Sequence, residues 1–112
     1  MSDNYYVSGY VYFIQAGDEL AVKIGSTVEL EKRLLALQTS NHLRLRLIGA
    51  IDLRKLGVQE NLNRVEFGQL ARTREAEIHK QFASDRIHGD WFKLTSELVK
   101  FIEDASNIEP MR

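Results

Sequence analysis

The chain has 112 residues, 44% of them hydrophobic and 28% charged, with a formal net charge of −1 and a pI near 6.3. That length holds one domain with one core, and that balance excludes a disordered chain. A nucleic-acid binder that works by bulk charge is strongly basic, so this composition argues against tight nonspecific DNA binding and leaves a local phosphate-contacting patch open. With no cysteine there is no disulfide, thiolate zinc site or thiol nucleophile. No apolar run approaches membrane-spanning length and no charged-then-apolar leader is visible, which together fit a cytoplasmic protein.

Residues 1–8 are polar and read as an N-terminal tail, followed by one domain over 9–106 and a C-terminal tail over 107–112 that contains Pro110. Tyr10-Val11-Tyr12-Phe13-Ile14 is rich in β-branched and aromatic residues and predicts a strand. Gly17-Asp18-Glu19 is a turn, and Leu20 to Ile24 a second strand, so 9–25 reads as a hairpin that Gly25 ends. Ser26 and Thr27 offer helix N-caps, and Ser26 with Glu29 has capping-box spacing. Leu30, Leu34 and Leu37 then predict an amphipathic helix over 28–38, broken at Asn41-His42. Leu43, Leu45 and Leu47 alternate with His42, Arg44 and Arg46, the period of a third strand over 43–51 with its leucines on the core.

Residues 52–63 carry little pattern and read as a loop or short helix. From Arg64 to Phe82 the pattern is helical, with Val65, Leu70, Ile78 and Phe82 as core positions and Gly68 weakening the first part. Arg86 to Asp90 is a turn region and Trp91 to Leu94 a short strand, with Trp91 and Phe92 closing the core. Thr95 caps a last helix bearing Leu98, Val99, Phe101 and Ile102.

Four pieces of sequence are less ordinary than these elements. They are Gly9-Tyr10-Val11-Tyr12-x-Ile14, Val22-Lys23-Ile24-Gly25-Ser26-Thr27, Glu31-Lys32-Arg33-Leu34, and Glu75-Ala76-Glu77-Ile78-His79 followed by Gly89-Asp90-Trp91-Phe92. In this order, over roughly residues 9–102, they resemble the GIY-YIG nuclease superfamily. Within it they resemble the T5orf172 branch, also called the meiotically up-regulated gene 113 type, which favours Lys-Ile-Gly over Tyr-Ile-Gly. The resemblance implies an α+β fold: a three-stranded antiparallel sheet flanked by helices, with a short extra C-terminal strand and helix. It also implies an endonuclease that hydrolyses phosphodiester bonds in DNA with Mg²⁺ or Mn²⁺. Such hydrolysis needs an activated water, a cation at the developing charge, an anchored metal and a protonated leaving group.

The resemblance assigns roles position by position. Tyr12 falls on the last residue of the first motif, whose phenol orients or deprotonates the attacking water; Tyr10 shares its strand face and is the other possible match. A core-packing strand aromatic is the plain alternative. Lys23 stands where the wider superfamily has a tyrosine. A protonated lysine is no base, so Lys23 would hold phosphate or nucleophile by charge, or is a simple strand lysine. Gly25 would allow a tight exit from the strand and close approach of a ligand. Arg33 would grip phosphate oxygens, or lie along the apolar stripe of its helix.

Glu75 matches the metal-binding carboxylate, a hard oxygen ligand of the kind Mg²⁺ prefers. His79, four residues on, shares its helix face. It is the best remaining candidate for proton transfer, or it ligates metal with Glu75, or the two make a surface contact. Asp90 would tie down its turn, His88 is a loop residue, and Arg44 and Arg46 present charge outward from their strand. A noncatalytic module of the same fold, binding nucleic acid or a protein, is the competing function. Specificity would come from the 52–63 loop, from self-association or from a protein partner, with no membrane involved.

Overall fold

Val11 and Phe13 face one way along the first strand and Tyr12 and Ile14 the other, and this period-2 alternation divides the molecule into two layers of packing. In the computed structural model, which describes residues 6–57 and 61–108, the strands are β1 (Tyr10–Ala16), β2 (Ala21–Thr27), β3 (Leu45–Asp52), β4 (Arg86–His88) and β5 (Trp91–Lys93). The helices are α1 (Leu30–Thr39), α2 (Arg64–Gln81) and α3 (Ser96–Ala105). All strand pairs are antiparallel, and the sheet order is β3-β1-β2-β5-β4. No described helix is long and apolar enough to cross a membrane.

One face of the sheet carries the larger core. Val11, Phe13, Val22, Ile24 and Ile51 meet Ala71 and Ile78 of α2, Phe92 of β5, and Leu98 and Ile102 of α3. The other face carries a smaller cluster of Tyr12, Ile14, Leu47 and Ala50 under Leu30, Leu34 and Leu37 of α1. The leucine spacing of α1 is therefore realised, and the alternation of β3 at Leu45 and Leu47, while Leu43, expected to open that strand, lies before it and outside both clusters.

Several expectations need correction. The sheet has five strands rather than three. β5 joins the edge of β2 over Ala21–Lys93 to Lys23–Trp91, and residues 86–88, expected as part of a turn, pair with β5 as β4. The second strand does not stop at Gly25 but runs to Thr27, and Gly25 pairs with Tyr12 inside the ladder. The Ser26–Glu29 capping box is absent: α1 begins at Leu30 after an N-cap without a side-chain bond. Thr27 Oγ1 instead accepts the Glu29 amide, and the Ser26 hydroxyl is turned elsewhere. The capping box of the fold is Asn63–Glu66, at the start of α2.

Val65, expected in the core, is 66% exposed, because the buried stripe of α2 is Phe67, Ala71 and Ile78 and Val65 points away from it. Val99 of α3 is likewise exposed beside buried Leu98 and Ile102. Tyr6 and Ser8, expected in the N-terminal tail, bond to the Asp52 carboxylate, and Asn107, expected in the C-terminal tail, bonds to the backbone of Asp52. In the unpatterned 52–63 segment, Leu53–Leu56 forms a short 3-10 turn, and residues 58–60 lie outside the described residues.

Candidate active site

β5 covers the edge of β2 only as far as Lys23, and beyond that point a helix takes the place of a strand. The Ile24 amide donates to the Asp90 carbonyl at 2.9 Å, and the Ile24 carbonyl accepts from His79 Nε2 of α2 at 2.9 Å. A sheet-edge carbonyl that would otherwise be unpaired is thereby satisfied by a side chain. Glu75 lies one helical turn before His79 on the same face. Its Oε1 accepts from Ser26 Oγ at 2.6 Å, and its Oε2 lies 3.4 Å from His79 Nε2. One carboxylate oxygen is thus held by a hydrogen bond from β2, and the other lies beside the His79 ring of α2 itself.

The β4–β5 turn supplies the next group. Gly89 has φ +52°, a left-handed conformation that favours glycine, and it aims the following residue back across β2. Asp90 Oδ2 meets Lys23 Nζ at 3.2 Å, with the lysine side chain only 19% exposed. Ligand-capable atoms of Glu75, His79 and Asp90 all lie within 4.8 Å of one another.

Tyr12 approaches this cluster from the α1 side of the sheet. Directly opposite it in the ladder is Gly25, and a Cβ there would stand 2.3 Å from the Tyr12 hydroxyl. The glycine is required by the space the phenol ring fills, not by a turn. Tyr12 is 3% exposed, and burial pushes its phenol pKa up. The Arg33 guanidinium pulls the other way, and the Glu75 and Asp90 carboxylates add to the rise. The phenol is thus within electrostatic reach of Arg33 and of both carboxylates. Arg33 itself is exposed on α1; its amide donates to the Glu29 carbonyl, and among the described residues its guanidinium makes no hydrogen bond or ion pair.

The T5orf172 domain family model matches residues 9–106. The chain belongs to the T5orf172 domain family. No curated protein and no solved structure matches it.

Within this T5orf172 domain the arrangement of His79 limits what its ring can do. Nε2 faces a carbonyl, which only accepts, and Nδ1 lies 3.2 Å from an Arg86 guanidinium nitrogen, which only donates. The network therefore assigns the proton to Nε2 and the lone pair to Nδ1. Both nitrogens are engaged, and Phe92 packs against the ring at 4.8 Å between centroids. His79 so placed pins α2 to β2, and its Nε2, engaged by the Ile24 carbonyl, lies beside Glu75 Oε2 at 3.4 Å. It offers no open lone pair to a substrate proton or to a cation. The two carboxylates do fit a divalent cation: Glu75 and Asp90 are hard oxygen donors, which Mg²⁺ and Mn²⁺ favour.

Of the residues expected at the site, the T5orf172 fold brings together Tyr12, Lys23, Gly25, Arg33, Glu75 and His79. Tyr10 is not among them. It lies two residues further from the cluster, in a groove with Tyr6 and Asp52, where burial and then the Asp52 charge raise its pKa. Sequence reasoning missed three participants. Ser26 was spent on a capping box, although its position directly after Gly25 was a usable signal. Asp90 sat in the motif but read as a turn residue, because only the β4–β5 hairpin carries it to Lys23. Arg86 read as the start of a turn region, and its contact with His79 depends on tertiary structure.

Proposed function

We propose that this T5orf172 domain is a metal-dependent endonuclease of the GIY-YIG type, hydrolysing phosphodiester bonds in DNA. The observation that carries this reading is the convergence on one end of the sheet of an unpaired arginine, a buried tyrosine, a lysine and two carboxylates from five separate elements. A fold held by packing alone has no use for a guanidinium left unpaired beside a phenol and two acids.

In this reading Glu75 and Asp90 hold Mg²⁺ or Mn²⁺, which when bound neutralises phosphate charge and acidifies water. Arg33 binds the phosphate through its planar fork and stabilises charge in the transition state. Lys23, held by Asp90, adds a second positive charge at the same place. Tyr12 is a phenol at neutral pH, because its burial disfavours the phenolate, so it orients the attacking water by hydrogen bonding and is not its base. Ser26 holds one oxygen of Glu75, and His79 lies beside the other. His79 is a positioning residue here, and the proton-carrying role suggested by its place in the motif gives way to that.

The competing reading, a noncatalytic binding module, draws on the Lys23–Asp90 ion pair, which ties up one carboxylate with an ammonium. One experiment separates the two. Plasmid and short single- and double-stranded oligonucleotides are incubated with the protein and with Glu75→Ala, in Mg²⁺, in Mn²⁺ and in chelator. Metal-dependent cleavage that Glu75→Ala abolishes is the expected result. Binding without cleavage of any substrate would replace the nuclease with the module.

A further inference from the structure

A second concentration of charge adjoins the site. Between the start of α1 and the start of α2 runs a groove of about 310 Å³ that includes Glu29, Lys32, Arg33 and Arg64. Arg33 belongs to both places: it lines the groove, and its charge acts on the Tyr12 phenol. Three cations thus share the groove with one carboxylate, a local surplus of positive charge on a chain whose net charge is −1. The single carboxylate is not idle. Glu29 is hydrogen-bonded to the Arg64 guanidinium and lies 3.8 Å from Lys32 Nζ. Arg64's hydrogen bond and charge, helped by Lys32, hold its carboxyl below the usual range, so it is an anion throughout the working range of pH.

We propose that this groove seats the backbone phosphates next to the scissile bond of a nucleic-acid strand, and that Glu29 is an internal counter-carboxylate which the strand displaces. The inference rests on the nuclease reading and adds the path of the substrate. A carboxylate in a guanidinium fork presents two oxygens much as a phosphodiester does, so the same donors serve either anion. A strand gripped at Arg33 continues into the groove, where its next phosphates meet Arg64 and Lys32. The resting contact with Glu29 keeps these cations from binding any passing polyanion. It also reconciles a nucleic-acid substrate with a near-neutral chain: the attraction is confined to one groove and partly masked there.

The test is equilibrium binding of fluorescent single- and double-stranded oligonucleotides in chelator, where cleavage is prevented, over a series of salt concentrations. Glu29→Gln removes the competitor and should tighten binding by roughly three- to tenfold at low salt. Arg64→Gln and Lys32→Gln should each weaken it similarly and reduce the log–log salt slope by about one. Lys100→Gln, on α3 and paired with Asp104, should leave binding unchanged. Lys32, Arg64 and Lys100 are exposed and Glu29 is half-buried, and thermal melting checks that each variant is folded. Wild-type binding that Glu29→Gln, Arg64→Gln and Lys32→Gln leave unaltered would overturn the groove. If metal-dependent cleavage then still needs Glu75, the nuclease reading stands without it. If the protein neither binds nor cuts any nucleic acid, both fall.

Discussion

Two carboxylates, Asp52 and Glu75, sit in polar clusters of this small chain, and they are finished in opposite ways. Asp52 is 2% exposed and closed off. Its side chain accepts from Ser8 Oγ, Tyr6 Oη and the Arg54 amide, and its backbone bonds to Asn107. Apart from the local Arg54 bond, these join segments that would otherwise come apart: the entry to β1, the end of β3 and the chain after α3. Glu75 accepts from Ser26, lies beside His79 and Asp90, and shares with Asp90 and Arg33 an electrostatic reach to the Tyr12 phenol, while among the described residues the Arg33 guanidinium has no partner. A cluster that uses all its bonding capacity internally is a staple. One that aligns its acids and leaves cationic capacity over is built for a ligand.

The sharpest way to break this contrast is to remove each acid in turn. Asp52→Ala takes an acceptor from the buried Ser8 hydroxyl, the exposed Tyr6 hydroxyl and the Arg54 amide, of which Ser8 and Arg54 each keep a second one, and should cost about 1–3 kcal/mol of stability. Chemical denaturation would register that as a lower midpoint, and residual activity per folded molecule should be unchanged. Glu75→Ala should do the reverse, lowering cleavage by at least about a thousandfold with little loss of stability. If Glu75→Ala unfolds the protein and Asp52→Ala spares it, the two clusters have been assigned the wrong way round.

Gly25 gives the next largest effect, because it tests both functions of one residue. An alanine Cβ would collide with the Tyr12 hydroxyl. Relief requires the phenol to leave the site, so Gly25→Ala should lose most cleavage and about 1–3 kcal/mol of stability from overpacking. Adding Tyr12→Ala should restore part of the stability and none of the activity. A double variant as unstable as Gly25→Ala alone would mean that the glycine answers to something other than the ring.

The same residues show how much could be read without coordinates. The leucine periodicity of α1, the alternation of β3 and the motif positions Tyr12, Lys23, Glu75 and His79 are local patterns, and local patterns survive folding. What escaped depends on contacts distant in sequence. β5 becomes part of the sheet only because β2 has a free edge at Ala21–Lys23, and nothing within residues 86–93 announces that edge. Tyr10 and Tyr12 share one face and one residue type, and in the sequence only the following Ile14 favours Tyr12 as the match. Their separation is tertiary: Tyr10 pairs in the ladder with Asp52 and Thr27, at the end stapled by Asp52, and Tyr12 faces Gly25 at the end that Glu75 approaches. Ser26 illustrates the remaining limit, since a hydroxyl three residues before a glutamate fits a cap as well as it fits a bond to Glu75, 49 positions away.

Ser26 should give a smaller effect than either acid. Its hydroxyl bonds to Glu75, so Ser26→Ala should lower cleavage about tenfold, mainly by raising the Mn²⁺ concentration needed for half-maximal activity. Ser26→Thr, which keeps the donor, should recover most of it. Equal loss in both variants at saturating metal would remove Ser26 from the support of Glu75.

The smallest effect compares the two tyrosines directly. Tyr12 and Tyr10 both have phenol pKa values raised above the ordinary 10.0, chiefly by burial. A raised folded-state pKa means that the unfolded chain ionises first. Stability from these groups is therefore complete below pH 10 and is lost as pH climbs through the folded-state values. Melting temperature should fall on that alkaline side, and phenolate absorbance should appear later than in a denatured control. The charges that oppose the rise differ: Arg33 for Tyr12 and Arg54 for Tyr10. Arg33→Gln should delay ionisation of Tyr12 further and leave Tyr10 where it was, read as a shift of one tyrosine's part of the absorbance titration. If Arg33→Gln moves neither, the guanidinium does not reach the phenol, and the open site loses the cation that distinguishes it from the closed one.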